Sequence, residues 1–108
     1  MTEQIQILQA PSRLDAVYAP TLRNDVALAA QAGVTVLIVD FTDTVFIDSS
    51  GMAALVSGHK AMRQKNGRFV LANVHGGARE IFDLTRMDLV FTMTPSVEAA
   101  RRTYGDGV

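Results

Sequence analysis

Apolar and polar residues follow one another in two rhythms along the chain, and these rhythms predict alternating strands and helices. Ile5 and Ile7 alternate with polar neighbours, which indicates a first strand with one wet face. Pro11 cannot donate to a sheet ladder, so this strand ends there or lies at a sheet edge. Residues 34–41 are apolar at nearly every position through Val39, a pattern typical of a strand covered by helices on both faces.

Apolar residues spaced by three and four predict two helices around this buried strand. Pro20 suits the first turn of the first helix, and Gly33 is a natural stop after it. The second helix is predicted to begin near Ser49 and to end near residues 65–67. The apolar stripes consist of Leu22, Val26, Ala29 and Ala30 in the first helix, and Met52, Leu55, Val56, His59 and Met62 in the second.

The remainder of the chain continues the same alternation. We predict a strand over residues 69–74, a short helix over 79–85 and a final strand over 89–93. A last helix would follow to about Thr103, with Thr94 as its N-cap and Pro95 as its first residue. Strands that alternate with helices indicate one α/β domain over residues 1–104, and residues 105–108 are predicted to be a short flexible tail.

Composition and charge narrow the functional classes. The chain has 108 residues, 48% of them apolar, which suits one domain with a core. The net charge is −1, and the acidic and basic residues are scattered along the chain. This distribution argues against a nucleic-acid partner and against attraction to an anionic membrane. The chain has no cysteine, no signal-peptide pattern and no apolar run long enough to span a bilayer. We therefore expect a soluble cytoplasmic protein.

The segment most informative about chemistry is residues 40–52. A buried strand runs into a loop that ends on Asp48, Ser49, Ser50 and Gly51 at the predicted start of the second helix. Free backbone N–H groups and the helix dipole favour negative charge there. A phosphate on Ser49 would be tolerated by the fold, yet it would add a charge of about −1.5 to −2 at the surface. The same residues also suit an ordinary N-cap, and the two interpretations are compatible.

Enzymatic interpretations of these residues find less support. Asp40 and Asp43 are separated by two residues, whereas the nucleophile loop of aspartate-based phosphatases separates its two acids by one. Ser49 is not in the Gly-x-Ser-x-Gly pattern of a nucleophile elbow. His59 lies on the apolar stripe of its helix, which favours a packed histidine over a catalytic one. No glycine-rich nucleotide loop is present, so the protein should not bind nucleotide by itself. Taking these patterns together, we predict a protein that is not an enzyme and needs no cofactor or metal.

Residues 36–62 resemble the signature of STAS-domain anti-sigma-factor antagonists. The likeness lies in Asp40-Phe41, in the run from Phe46 through Asp-Ser-Ser-Gly to Met52, and in the helix that follows. It extends over almost the whole chain, because the later strand and helices come in the expected order. The resemblance implies a single STAS domain with a small mixed β-sheet flanked by about four helices.

The resemblance also implies a mechanism. In that family the first serine of the pair, which matches Ser49, is phosphorylated by an anti-sigma factor that is also an ATP-dependent serine kinase. The unphosphorylated antagonist captures this kinase and frees the sigma factor, phosphorylation releases it, and a serine phosphatase resets the switch. Asp48 matches the acid beside the phosphorylated serine, and Asp15 matches an acid before the first helix. The predicted docking surface comprises Asp15, Asp48, Ser50 and Gly51, with contacts from Ser57 and Lys60.

Two departures from the family pattern leave the partner's identity open, and one of them is the interruption of the first strand by Pro11. Many members carry a glycine shortly before the acid matched by Asp15, whereas this chain has Ser12 and Arg13 there. The alternative function is a constitutive STAS subunit of a transporter or a stress-sensing complex, which would need the fold without the switch. The sequence also leaves open which sigma factor is regulated and whether the domain forms a homodimer.

Overall fold

The computed structural model describes residues 4–105. The strands are β1 (Ile5–Gln9), β2 (Arg13–Leu14), β3 (Val36–Asp40), β4 (Phe46–Ile47), β5 (Arg68–Ala72) and β6 (Thr92–Thr94). The helices are α1 (Ala19–Gln31), α2 (Ser49–Gln64), α3 (Gly76–Thr85) and α4 (Val97–Ala100). A 3-10 turn covers Met87–Leu89, and a π-helical turn covers Arg101–Gly105.

The main sheet has four strands in the order β1-β3-β5-β6. Every strand pairing within residues 4–105 is parallel. The predicted small mixed sheet is therefore a small parallel sheet in the described residues. All five residues of β3 are buried, as the continuous apolar run predicted. Strand β1 lies at an edge of the sheet and ends two residues before Pro11, so both expectations for Pro11 are confirmed.

The two faces of the sheet are covered by different helices. On one face, Leu37, Val39 and Leu71 join the larger core with buried residues of α1, α2 and α3. On the other face, Ile38 and Val70 belong to a smaller cluster that includes Ala100 of α4 and the partly buried Tyr104. The side chains of a strand point alternately to opposite faces, so one apolar run supplies both clusters.

A second, two-stranded sheet positions the candidate site. Strand β2 pairs with β4, and Leu14 lies opposite Ile47 in the register. The backbone N–H of Asp48 then donates to the Leu14 carbonyl at 3.2 Å. Asp15 and Asp48 are the residues that directly follow this pair, so the small sheet brings both acids to one edge.

The last strand begins about three residues later than predicted. Residues 87–89 form the 3-10 turn, and β6 begins only at Thr92. Arg86 adopts a left-handed conformation with φ of 62° and ends α3, so the chain turns before it can extend. Leu89 is 71% exposed, which shows that its apolar side chain does not mark a buried strand.

The predicted N-cap of the last helix is also wrong. Thr94 is the final residue of β6, and its hydroxyl donates to the Ser96 carbonyl at 2.9 Å. Ser96 caps α4, because its hydroxyl accepts from the Ala99 N–H at 3.0 Å. Pro95 therefore precedes the cap. Both hydroxyl residues suit a cap by type, and the length of β6 decided between them.

Gly105, the first residue of the predicted tail, lies in the last helical turn that the structure describes. Gly105 is buried and closes the π-helical turn. A Cβ atom at this position would collide with Cδ1 of Ile5, so Gly105 packs closely against β1 and belongs to the domain. The rest of the predicted tail, residues 106–108, lies outside the described residues.

Candidate modification site at the start of helix α2

The start of α2 assigns separate tasks to neighbouring residues. Asp48 is the N-cap, with extended backbone angles, and its Oδ1 accepts from the Gly51 N–H at 2.9 Å. Ser49 is the first helical residue, and it is exposed. The capping interpretation therefore falls on Asp48, and Ser49 presents its side chain at the surface.

The first turn of α2 has room only for glycine at position 51. Gly51 is buried, and a Cβ atom there would collide with the backbone carbonyl oxygen of Leu14. The absence of a side chain lets α2 approach the backbone of β2. Gly51 shapes the predicted docking surface through this close approach, while Ser50 beside it is half-buried.

Asp15 organises the turn that leads into α1. Its Oδ1 accepts from the N–H groups of Val17 at 3.1 Å and Tyr18 at 3.3 Å, and its Oδ2 lies 3.7 Å from Arg13 Nε. This half-buried carboxylate, like that of Asp48, orders the backbone at a helix entrance. The two predicted acids thus share one edge and a similar structural task.

Ser57 and Lys60 lie further along α2 and are both exposed. Ser49, Val56 and Lys60 follow one another at intervals of seven and four, which places them on one face of the helix. Ser57 turns towards α1, where it lines a cleft with Arg23 and Val26. Lys60 therefore shares the face of Ser49, and Ser57 lies beside that face.

Two cavities flank Ser49. The first, here called the apolar groove, lies between α2 and α3 and has a volume of about 480 Å³. Its lining consists of Ile47, Asp48, Ser49, Met52, Ala53, Val56, Ile81, Thr85 and Met87. Most of these side chains are apolar, and the charged group among them is the Asp48 carboxylate.

The second cavity, here called the Arg23 depression, lies between α1 and α2 and has a volume of about 380 Å³. It is lined by Ala16, Ala19, Pro20, Arg23, Ser49, Ser50 and Ala53. Sequence reasoning did not single out Arg23. No local pattern marks it, because its place beside Ser49 depends on the packing of α1 against α2.

Asp40 is the strand-end acid that the sequence predicted. Its buried Oδ1 accepts from the Thr42 N–H at 3.0 Å, the Thr42 hydroxyl at 2.6 Å and the Asn73 side-chain amide at 2.9 Å. Burial alone would raise the pKa of this carboxyl, but these hydrogen bonds outweigh it and hold the pKa below its ordinary value. Asp40 thereby joins the ends of β3 and β5, whereas Asp43 is exposed.

His59 lies ten residues beyond Ser49 on the same helix, about 15 Å along its axis. Its ring packs edge to face against Phe69 and Phe91, with centroids 6.5 and 5.8 Å away. Burial, with a contribution from the nearby Arg63 charge, lowers the pKa of His59. The side chain is the packed histidine that its apolar stripe indicated, and it is too far away to act as a base for Ser49.

The fold and this site describe a small α/β domain whose candidate chemistry lies at the start of one helix. The family model of the STAS domain matches residues 1–100, and the chain belongs to this family. The anti-sigma-B factor antagonist of Listeria monocytogenes is 27% identical over 84 residues, which cover 78% of this chain and 73% of the relative. The resemblance seen in the sequence is confirmed at the level of the family.

Solved structures confirm the predicted fold. The unphosphorylated form of the anti-sigma factor antagonist SpoIIAA matches with a TM-score of 0.75 and 23% identity, covering 100% of this chain and 94% of that one. The phosphorylated form of SpoIIAA, a Bacillus cell-fate determinant, matches with a TM-score of 0.71 and 23% identity, covering 95% and 94%. Among residues 4–105, no helix combines the length and apolarity needed to cross a membrane.

Proposed function

We propose that this protein is an anti-sigma-factor antagonist that regulates sigma-factor-dependent transcription without being an enzyme. When unphosphorylated, it binds an anti-sigma factor that is also a serine kinase. Phosphorylation at Ser49 releases this partner, and a serine phosphatase restores the binding form. The observation that carries the proposal is an exposed Ser49 as the first residue of α2, capped by the neighbouring Asp48.

The local structure suits a reversible modification. Ser49 is accessible to an enzyme, and its side chain is not part of the core. A negative group in the first helical turn is favoured by about 0.3–1 kcal/mol through the helix dipole. Phosphorylation should therefore leave the domain folded and act on what binds to it.

The surroundings of Ser49 suit a protein partner. The predicted docking residues Asp15, Asp48 and Ser50 lie around the helix start, and Lys60 extends the same face along α2. The adjoining apolar groove offers apolar area of the kind that forms the buried centre of protein interfaces. A phosphate of about −2 charge on Ser49, at the edge of this surface, would have to lose hydration when the partner docks.

The first test is phosphorylation by candidate anti-sigma kinases from the same genome, with ATP and intact-mass measurement. We expect one added phosphate, mapped to Ser49 by fragmentation. Ser50→Ala is the matched control and should still be modified, whereas Ser49→Ala should not. Phosphate at another residue, or none with any candidate kinase, would contradict the proposal.

The second measurement compares partner affinities. Ser49→Ala should bind the kinase about as tightly as the wild type, whereas Ser49→Asp should bind at least about tenfold more weakly, a difference of roughly 1.4 kcal/mol. Ser57→Asp, beside the same face, controls for added charge and should have a smaller effect. A constitutive structural subunit would instead bind the alanine and aspartate variants of Ser49 equally.

A further inference from the structure

We propose that Arg23 is the counter-charge for the phosphate on Ser49. In this arrangement the phosphorylated side chain turns into the Arg23 depression between α1 and α2, and it does not lie over the apolar groove. The inference rests on the proposed function, because it concerns the phosphorylated form of Ser49. It adds a positioning residue that neither the family resemblance nor the sequence pattern supplied.

Ser49 lines both cavities, so a phosphate attached to it has two neighbouring sites available. On the groove side it would meet Met52 and Ile81, which offer no hydrogen bonds, and the like charge of Asp48. A dianion placed there loses hydration without compensation. The apolar groove is therefore the unfavourable side for the phosphate.

On the opposite side, Arg23 and Ser50 both line the depression, so a basic and a hydroxyl side chain are available there. Within residues 4–105 the ion pairs join Arg13 to Asp15 and Arg79 to Asp83, so Arg23 has no carboxylate partner in this part of the chain. A guanidinium is planar and always charged, and it can donate two parallel N–H bonds to phosphate oxygens.

The packing of α1 on α2 keeps Arg23 on this side. A Cβ atom at Gly58 would lie 3.3 Å from Cγ2 of Val26, which shows how closely the two helices approach. Arg23 is three residues before Val26 and therefore lies on the same side of α1. It lines both the depression at Ser49 and the cleft at Ser57, so it lies on the side of α1 that faces α2.

The two helix starts reinforce this charge. Ala19 and Pro20 at the start of α1, and Ser49 and Ser50 at the start of α2, line the same depression. The positive ends of both helix dipoles therefore lie near the position of the phosphate. Together with Arg23, the two helix dipoles would hold the phosphate in one orientation. The Ser49-phosphorylated protein would then present one defined surface.

The test uses the full chain with phosphoserine installed at position 49 during translation, so that no kinase is needed. Phosphorus NMR then follows the second ionisation of the phosphate, whose ordinary pKa is about 6. Arg23 favours the dianion, so we expect this pKa to be about half a pH unit lower in the wild type than in Arg23→Ala. Arg23→Lys keeps the charge without the planar fork and should fall between them.

The matched control is Arg63→Ala, which removes an arginine at the other end of α2. It lies fourteen residues from Ser49, about 21 Å along the helix and beyond the screening length of about 8 Å at physiological salt. Its phosphate should therefore titrate like that of the wild type. Thermal unfolding of each variant would show that the domains compared are folded.

The outcomes separate this inference from the proposed function. Equal phosphate pKa values in wild type and Arg23→Ala, with an unchanged NMR signal of the Arg23 Nε–H on phosphorylation, would overturn the role of Arg23. Kinase release by phosphorylated Ser49 could still hold in that case. Conversely, a shifted pKa alongside a kinase that ignores Ser49 would support the Arg23 contact and contradict the proposed function.

Discussion

The two ends of helix α2 differ in almost every respect. At its start, Asp48 caps the helix and Ser49 stands exposed between two cavities. In its second half, Met62 is fully buried and His59 packs against the rings of Phe69 and Phe91. The comparison shows how a small domain can carry a modifiable residue, because Ser49 stands outside the packed core while other residues of the same helix are buried in it.

The largest expected effect comes from the glycine beneath the first turn. In Gly51→Ala the new Cβ atom meets the Leu14 backbone carbonyl, which is tied into the β2-β4 pairing and cannot move like a side chain. We expect the free energy of unfolding to fall by about 3 kcal/mol, at the upper end of the usual cost of overpacking. Urea denaturation measures this change.

Gly58→Ala is the matched control in the same helix. Its Cβ atom would lie 3.0 Å from Cε1 of Phe69 and 3.3 Å from Cγ2 of Val26, which are longer contacts than at Gly51 and are made to side chains, not to backbone. Alanine also favours the helix by about 1 kcal/mol, so we expect a stability within about 1 kcal/mol of wild type. Similar losses in the two variants would contradict the special closeness of α2 to β2 at its start.

A smaller change in stability should distinguish the capping residue Asp48 from the candidate phosphorylation site Ser49. Asp48→Ala removes the acceptor for the Gly51 N–H and should lower the unfolding free energy by about 1 kcal/mol. Asp48→Asn keeps an acceptor and should lose less. Ser49→Ala should change stability by less than about 0.5 kcal/mol, since Ser49 is exposed. A greater loss in Ser49→Ala than in Asp48→Ala would mean that the cap is wrongly assigned.

The smallest effect concerns pH at the packed end of the helix. Burial and the Arg63 charge lower the pKa of His59 from its ordinary value of 6.5. The His59 imidazole therefore binds a proton more readily in the unfolded chain than in the folded domain. The contribution of His59 is present above about pH 6.5 and should be lost as the pH falls below it. Thermal unfolding between pH 8 and 5 measures this loss and stays above the range in which Asp40 titrates.

Two histidine variants assign that pH dependence. His59→Gln should flatten the decline in stability, whereas His75→Gln, at an exposed position before α3, should preserve it. A decline that persists in His59→Gln would show that another group is responsible. In that case the pH dependence of stability could not be assigned to the second half of α2.

Much of the fold could be predicted because its signals are local. The apolar run that forms β3 and the stop at Gly33 after α1 depend on residues adjacent in sequence. The last strand could not be placed in this way. Leu89 and Val90 are apolar yet exposed, and only the left-handed turn at Arg86 decides that the chain bends there first.

By itself, the sequence determined which residues could begin α2 and that a serine lies among them, because capping and helical periodicity act over a few residues. Tertiary structure alone decided the surroundings of that serine. The pairing of Leu14 with Ile47 brings Asp15 beside Asp48, and the packing of α1 on α2 brings Arg23 to Ser49. These neighbours are distant in sequence, so their meeting depends on how the whole chain packs.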